Sequence, residues 1–141
     1  MSLNNIFGIA GTALNAQMVR MNATASNMAN AGTIASSEAE AFKAKRPVFE
    51  TLLNQEMTTP GAQYVGGVRV TGMVDDSTPN AKMHDPGNPK ADKDGFVHVS
   101  NVNEVTEMVE MMGAARSYQN NVEVVNTARE LMMRTLDITK A

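Results

Sequence analysis

The chain has 141 residues and a formal net charge of −3, so it lacks the basic excess that is typical of nucleic-acid-binding proteins. It contains no cysteine, which excludes disulfides, thiolate metal sites and cysteine nucleophiles. No run of apolar residues approaches the roughly twenty that a membrane-spanning helix needs. The sequence also predicts no ordinary secretory signal, because no basic segment is followed by an apolar one near the start.

Residues 1–32 predict an amphipathic helix that ends near Gly32. Apolar residues recur at helical spacing along it; they are Phe7, Leu14, Met18, Met21 and Met28. Its polar face is almost uncharged, since Arg20 is the only charged residue before Glu38. A helix with amides and small residues in place of charges favours packing against protein on most sides. We therefore expect assembly to order this helix.

Residues 33–99 predict a connector followed by a small insert of strands and loops. Phe42–Phe49 is a basic and apolar stretch in which Pro47 disfavours helix just before it. Pro47 is also compatible with the first turn of a short helix that continues through Leu53. Strands are predicted within Tyr64–Val74 and at Phe96–Val99, and three prolines make the tract between them rich in loops.

Residues 100–141 predict the longest element, a helix with a repeat of about 3.5 residues. The periodic positions are Met108, Met111, Ala115, Tyr118, Val122, Val125, Arg129, Met132 and Leu136. Only Arg129 interrupts the apolar series, so it either extends to solvent or pairs with an acid of a neighbouring subunit. Ser100 and Asn101 are candidate caps, with Glu104 placed as a capping-box carboxylate.

The sequence thus predicts a mainly α fold. Long N- and C-terminal helices pair as a coiled coil, with a small β/loop insert between them. The predicted segments are the N-terminal helix over 1–32, the connector and insert over 33–99, and the C-terminal helix over 100–141.

One cluster has the residue types for chemistry: His84, Asp85, Asp92, Asp94 and His98. Two histidines and three aspartates could form a metal site, and with it a metal-dependent enzyme. Turn-forming and solvated acids are the more common explanation for such a loop, and the sequence carries no nucleophile elbow, P-loop or dinucleotide fingerprint. We therefore predict no catalytic, cofactor-binding or metal-binding residues.

Several motifs resemble a known family. Ala25–Ala31 reads ASNMANA and resembles the ASN(L/M)AN signature of bacterial flagellar rod, hook and filament-junction proteins, the axial proteins. Three further stretches, 42–49, 85–97 and 101–121, are similar to the proximal-rod members of that family. Where hook-type relatives carry TPGY after the first helix, this chain has Thr33–Ser37, a departure that fits the short proximal-rod members better.

The resemblance implies a non-catalytic subunit of the proximal rod of the flagellar basal body, the shaft that carries motor torque through the periplasm. It implies export through the flagellar type III pathway without a cleavable signal peptide. The implied partners are other rod subunits, copies of the same chain and the export apparatus, with no nucleic acid and no cofactor. The alternatives are another rod or hook-type axial protein and a helical protein-binding adaptor.

The candidate assembly interface consists of the apolar periodic positions of both predicted helices. These residues are Phe7, Leu14, Met18, Met21, Met28, Met108, Met111, Ala115, Tyr118, Val122, Val125, Met132 and Leu136.

Overall fold

The computed structural model describes residues 3–52 and 66–140. Helix α1 spans Leu3–Ala29 and helix α2 spans Glu104–Lys140. Thirty-seven residues at about 1.5 Å rise make α2 roughly 55 Å long. Within the described part of the chain, no helix is both long and apolar enough to cross a membrane.

The start of α2 is capped by a different residue from those predicted. The Asn103 side-chain oxygen accepts the Thr106 N–H over 3.0 Å, as an N-cap does. Ser100 and Asn101 are not the cap, because their side chains bond elsewhere. The Ser100 hydroxyl donates to the Ala31 carbonyl, and the Asn101 side-chain oxygen, the atom that a cap would use, accepts the Ala44 N–H over 2.7 Å. Tertiary hydrogen bonds therefore shift the helix start to Glu104.

The described residues between the helices form five short strands. They are β1 (Ile34–Ala35), β2 (Lys45–Thr51), β3 (Val68–Asp75), β4 (Lys82–His84) and β5 (Phe96–Val99). The first sheet has the order β1-β5-β4 and is antiparallel, with Ile34 opposite Val99 and His84 opposite Phe96. The second sheet pairs β2 with β3. The Leu52 N–H donates to the Gly67 carbonyl at its outer end.

The chain divides into two compact units, whose boundary falls within α1, β2, β3 and α2. The first unit comprises Met1–Val19, Val48–Gly72 and Gly113–Ala141. The second unit comprises Arg20–Pro47 and Met73–Met112.

The first unit buries mainly small side chains on its helices. Those buried residues are Ala10, Ala16, Ala114 and Ala128. Thr12 joins α1 to the β pair, since its hydroxyl oxygen accepts the Val68 N–H over 3.2 Å. Small residues let backbones approach closely, so helix and strand meet here through backbone and short side chains.

The second unit contains the three-stranded sheet and its packing. Val97, on the central strand β5, is fully buried. Asn80 ties the sheet to the connector by donating to the carbonyls of Phe42 and Val99, over 3.0 and 2.8 Å. An amide that holds two carbonyls satisfies backbone groups that the short strands leave unpaired.

The predicted fold class is wrong. About half of the described residues are helical and about one fifth lie in two small antiparallel sheets, which makes the fold mixed α and β rather than a coiled coil of terminal helices. A coiled coil buries large apolar side chains at its repeating positions. Here the buried helix positions are alanines and polar residues, whereas Met18, Met108 and Leu136 remain about half exposed.

The predicted strands agree with the structure more closely than the predicted fold class does. Phe96–Val99 is a strand with the predicted bounds, and β3 lies largely within the predicted Tyr64–Val74. The connector is extended from Lys45 to Thr51, so the short-helix alternative is wrong there, and Leu53 lies outside the described residues. The tract predicted as loop contains a strand, β4, that the sequence reading missed. The three-segment division of the chain stays a prediction.

Candidate assembly surface and the polar cluster beside it

The predicted interface residues of α1 are mostly half-buried. Phe7, Leu14, Met21 and Met28 are partly covered within the chain, and Met18 is 46% exposed. The fully buried positions of α1 are instead small or polar; they are Ala10, Ala16, Ala23, Thr24 and Asn27. The large apolar side chains of α1 therefore flank the intramolecular contacts rather than forming their centre.

The predicted interface residues of α2 fall into two groups. The half-buried residues are Met111, Ala115, Tyr118, Val122, Val125 and Met132. Met108 and Leu136 are exposed, at 51% and 49%. The buried positions of α2 are Glu107, Ala114 and Ala128, one residue before the predicted Met108, Ala115 and Arg129. The series beginning at Met108 therefore lies beside the covered side of α2, and Arg129 is exposed.

Large apolar side chains are exposed along much of α2. Those more than two-fifths exposed are Val105, Met108, Val109, Met112, Val124, Leu131, Met133, Leu136 and Ile138. Val105, Met108, Val109 and Met112 are spaced three and four residues apart, so they share one side of the helix in the second unit. Contiguous exposed apolar surface of this kind is typical of a protein interface.

An apolar groove lies in the first unit. It has a volume of about 360 Å³ and is lined by Ile6 of α1 and by six residues of α2: Asn120, Glu123, Val124, Thr127, Ala128 and Leu131. Val124 and Leu131 line the groove and are also half exposed. The exposed apolar surface of α2 thus includes a concave part that a side chain from another protein could fill.

A polar cluster in the second unit centres on Asn27, within the ASNMAN motif. Its side-chain oxygen accepts the Lys45 N–H over 2.7 Å, and its NH₂ donates to the Lys45 carbonyl over 3.1 Å. The same NH₂ donates to Glu107 Oε2 over 3.0 Å. Asn27 is fully buried, so its amide supplies hydrogen bonds that water cannot supply there, both to the connector backbone and to α2.

Glu107 is a fully buried carboxylate with two different partners. Arg46 Nη1 donates to Glu107 Oε1 over 2.7 Å, while Asn27 holds the other oxygen. Arg46 also reaches Asp76, with 3.4 Å between Nε and Oδ2. Desolvation acts to lower the pKa of Arg46, but the hydrogen bonds and charges of Glu107 and then Asp76 outweigh it and raise that pKa above its ordinary value.

A second ion pair joins α1 to α2 in the same unit. Arg20, the only charged residue before Glu38, pairs with Glu110, and both side chains are about one-third exposed. Arg20 precedes Asn27 on α1, whereas its partner Glu110 follows Glu107 on α2. The two polar contacts therefore fix an antiparallel alignment of the end of α1 with the start of α2.

The histidine and aspartate cluster has structural contacts. The ring of His84 meets Phe96 edge-on, with 5.0 Å between ring centroids. Asp92 closes the turn before β5, because its Oδ1 accepts the N–H groups of Asp94 and Phe96. The Phe96 N–H, more than any other partner, lowers the pKa of Asp92. Among residues 3–52 and 66–140, no three histidine or acidic side chains are grouped as a metal site.

Sequence patterns give Arg46 and Glu107 no individual role, and they place Asn27 only on the uncharged polar face of the predicted first helix and in the family motif. One signal could have indicated Glu107: it heads the series Glu107, Ala114, Asn121 and Ala128, which repeats every seven residues beside the chosen one. An acid at the head of a buried series needs a partner, and Arg46 lies in the basic stretch of the connector. No local pattern pairs these two residues.

The comparisons with known proteins all match flagellar basal-body rod proteins. A family model described as the flagellar basal body rod FlgEFG protein C-terminal matches residues 93–138. The flagellar basal-body rod protein FlgC of Yersinia enterocolitica is 48% identical over 138 residues, which cover 98% of each chain. FlgC proteins of Escherichia coli strain CFT073 and Salmonella typhimurium strain LT2 are 45% and 44% identical with the same coverage. On this similarity, the chain belongs to the FlgC family of flagellar basal-body rod proteins.

Proposed function

We propose that the chain is a non-catalytic structural subunit of the flagellar basal-body rod that binds neighbouring subunits through its terminal helices. Family membership supports the rod role. The proposed assembly surface is supported by the row of exposed valine, leucine, isoleucine and methionine side chains along α2. A surface of this kind is stabilised by burial against another protein.

The energetics favour association through many modest contacts. Full burial of one valine, leucine or methionine side chain contributes about 1.5–3 kcal/mol, so covering the exposed half of each contributes about 1 kcal/mol. Methionine adapts its shape to different neighbours, which suits a surface that meets more than one kind of subunit. Met108, Met112 and Met133 are the exposed methionines of α2.

The partners of this surface are, in the proposal, copies of the chain and other rod subunits. The thirteen apolar residues predicted from the sequence belong to the proposed interface, with Met18, Met108 and Leu136 the most exposed of them. Contacts between different patches that do not close on themselves generate a helical tube, which is the geometry that a shaft needs.

The proposal also includes transport to the basal body by the flagellar type III export apparatus. The absence of cysteine supports this route, since no disulfide has to form after an unfolded chain reaches an oxidising compartment. Inactivating the export apparatus should then remove the chain from the periplasmic fraction. Unchanged periplasmic amounts would argue for another route.

Aspartate substitutions on α2 test the assembly surface. In a strain lacking its own copy of the gene, Val109→Asp and Leu131→Asp should abolish swimming and remove the chain from isolated basal bodies. Asn126→Asp is the matched control, because it introduces the same charge at an exposed polar position of the same helix. It should restore both swimming and incorporation.

The outcomes separate this function from a helical adaptor. Normal incorporation of Val109→Asp and Leu131→Asp, with cellular amounts equal to wild type, would overturn the proposed surface. A chain that never co-purifies with basal bodies, even as wild type, would overturn the rod role itself.

A further inference from the structure

We propose that the connector is closed by a side-chain latch that opens and closes as one cooperative unit. The latch joins the end of α1, the connector and the start of α2 in the second unit. Its residues are Asn27, Ala44, Lys45, Arg46, Asn101 and Glu107.

Side chains take up the N–H groups of the connector at this point, where β2 begins, while the Ala44 carbonyl accepts the Asp76 N–H over 2.8 Å. The Ala44 N–H donates to Asn101 Oδ1 over 2.7 Å, and the Lys45 N–H donates to Asn27 Oδ1 over 2.7 Å. Ala44 is fully buried, so water cannot replace its partner while the latch is closed. Protection of these two N–H groups therefore reports directly on latch closure.

The charges make partial opening unfavourable. Glu107 is fully buried, and its carboxylate is compensated by Arg46 on one oxygen and Asn27 on the other. Removal of one partner leaves the buried carboxylate of Glu107 incompletely compensated, which is more costly than either complete pairing or full hydration. The closed state and the fully hydrated open state are thus the two stable arrangements.

Arg46 couples the ion pair with Glu107 to the hydrogen bonds of the Lys45 backbone, because Arg46 directly follows Lys45 in the chain. Movement of Lys45 away from Asn27 carries Arg46 away from Glu107, and loss of the ion pair releases the same backbone. A bistable element of this kind converts several hydrogen bonds into one two-state contact.

Amide hydrogen exchange on the full-length chain tests the latch. Arg46→Met removes the charge but keeps an unbranched stem, and it should accelerate exchange at Ala44 and Lys45 by the same factor, about tenfold or more. The Val68 N–H, which donates to Thr12 in the first unit, should exchange at its wild-type rate. Lys43→Met is the matched control, because it deletes a positive charge from the same connector, and it should leave all three rates unchanged.

A second, milder variant covers the case in which Arg46→Met does not fold. Arg46→Lys keeps the positive charge but loses the planar guanidinium that reaches both Glu107 and Asp76. It should accelerate Ala44 and Lys45 by a smaller factor, again equal at the two sites. Unequal factors, unchanged rates, or equal acceleration that extends to Val68 would each overturn the proposal.

Discussion

Asn27 and Glu107 are 80 residues apart in the sequence, yet the Asn27 amide donates to the Glu107 carboxylate over 3.0 Å in a fully buried setting. This bond connects the last turns of α1 to the first turn of α2. The same amide is bonded to both backbone groups of Lys45, so one side chain organises three segments.

Glu107 should contribute far more to stability than Glu104, although both acids lie in the first turn of α2. Glu107→Gln removes a charge-assisted bond to Arg46 and should lower the free energy of unfolding by about 2 kcal/mol. Glu104 is exposed, so Glu104→Gln should change it by less than about 0.5 kcal/mol. Urea denaturation followed by circular dichroism measures both, and equal effects would contradict the assigned role of Glu107.

Asn27 and Asn30 of the ASNMAN motif should differ in the same way. Asn27→Ala leaves the Lys45 N–H and Glu107 without their buried partner, and it should cost about 2–4 kcal/mol of unfolding free energy. Within the described part of the chain, the Asn30 side chain donates only to the Ser26 carbonyl, an exposed bond within its own helix turn. Asn30→Ala should therefore cost about 0.5 kcal/mol. Thermal unfolding of the two variants would reject this assignment if Asn30→Ala were the more damaging.

Gly67 should not tolerate a side chain, whereas Gly72 should. Gly67 has φ of 142°, and an added Cβ would lie 2.9 Å from Thr12 Oγ1, the atom that accepts the Val68 N–H. Gly67→Ala should therefore lower the free energy of unfolding by about 1–3 kcal/mol.

Gly72 is the matched control, within β3, the strand that begins directly after Gly67. A Cβ there meets no atom within 4 Å, so Gly72→Ala should be neutral or stabilise by up to about 1 kcal/mol. Equal melting temperatures for the two variants would show that the contact with Thr12 carries no strain.

Asp76 should make stability depend on pH in the acid range. The Thr78 hydroxyl and then the Thr78 N–H lower its pKa, with a smaller contribution from Arg46. Because the folded pKa lies below the unfolded value of 3.8, this stabilisation is present above pH 3.8 and is lost as pH falls through the folded pKa.

Asp76→Asn isolates that dependence. Unfolding free energies measured from about pH 6 to pH 2 should converge for wild type and variant at the acid end, with wild type more stable at the upper end. A difference that stays constant across the range would mean that ionisation of Asp76 does not contribute.

Much of the local structure could be predicted because its signals are local. The seven-residue spacing of large apolar side chains indicated both helices, and the strand at Phe96–Val99 follows a turn that Asp94 and Gly95 favour. The start of α2 was misplaced by a few residues. Asn101 has the chemistry of a cap, but its side chain serves Ala44 and Thr78 instead.

The sequence by itself determined the two long helices, the family signature and the absence of any cysteine chemistry, since each depends on residue types at short spacing. Only the tertiary structure decided the fold class and the buried side of each helix. Periodicity shows that a helix has an apolar side, but several neighbouring series fit it almost equally well. The contacts among Asn27, Arg46 and Glu107 decide which side of each helix is buried here. A buried carboxylate is stable only where an amide and a cation from distant segments reach it.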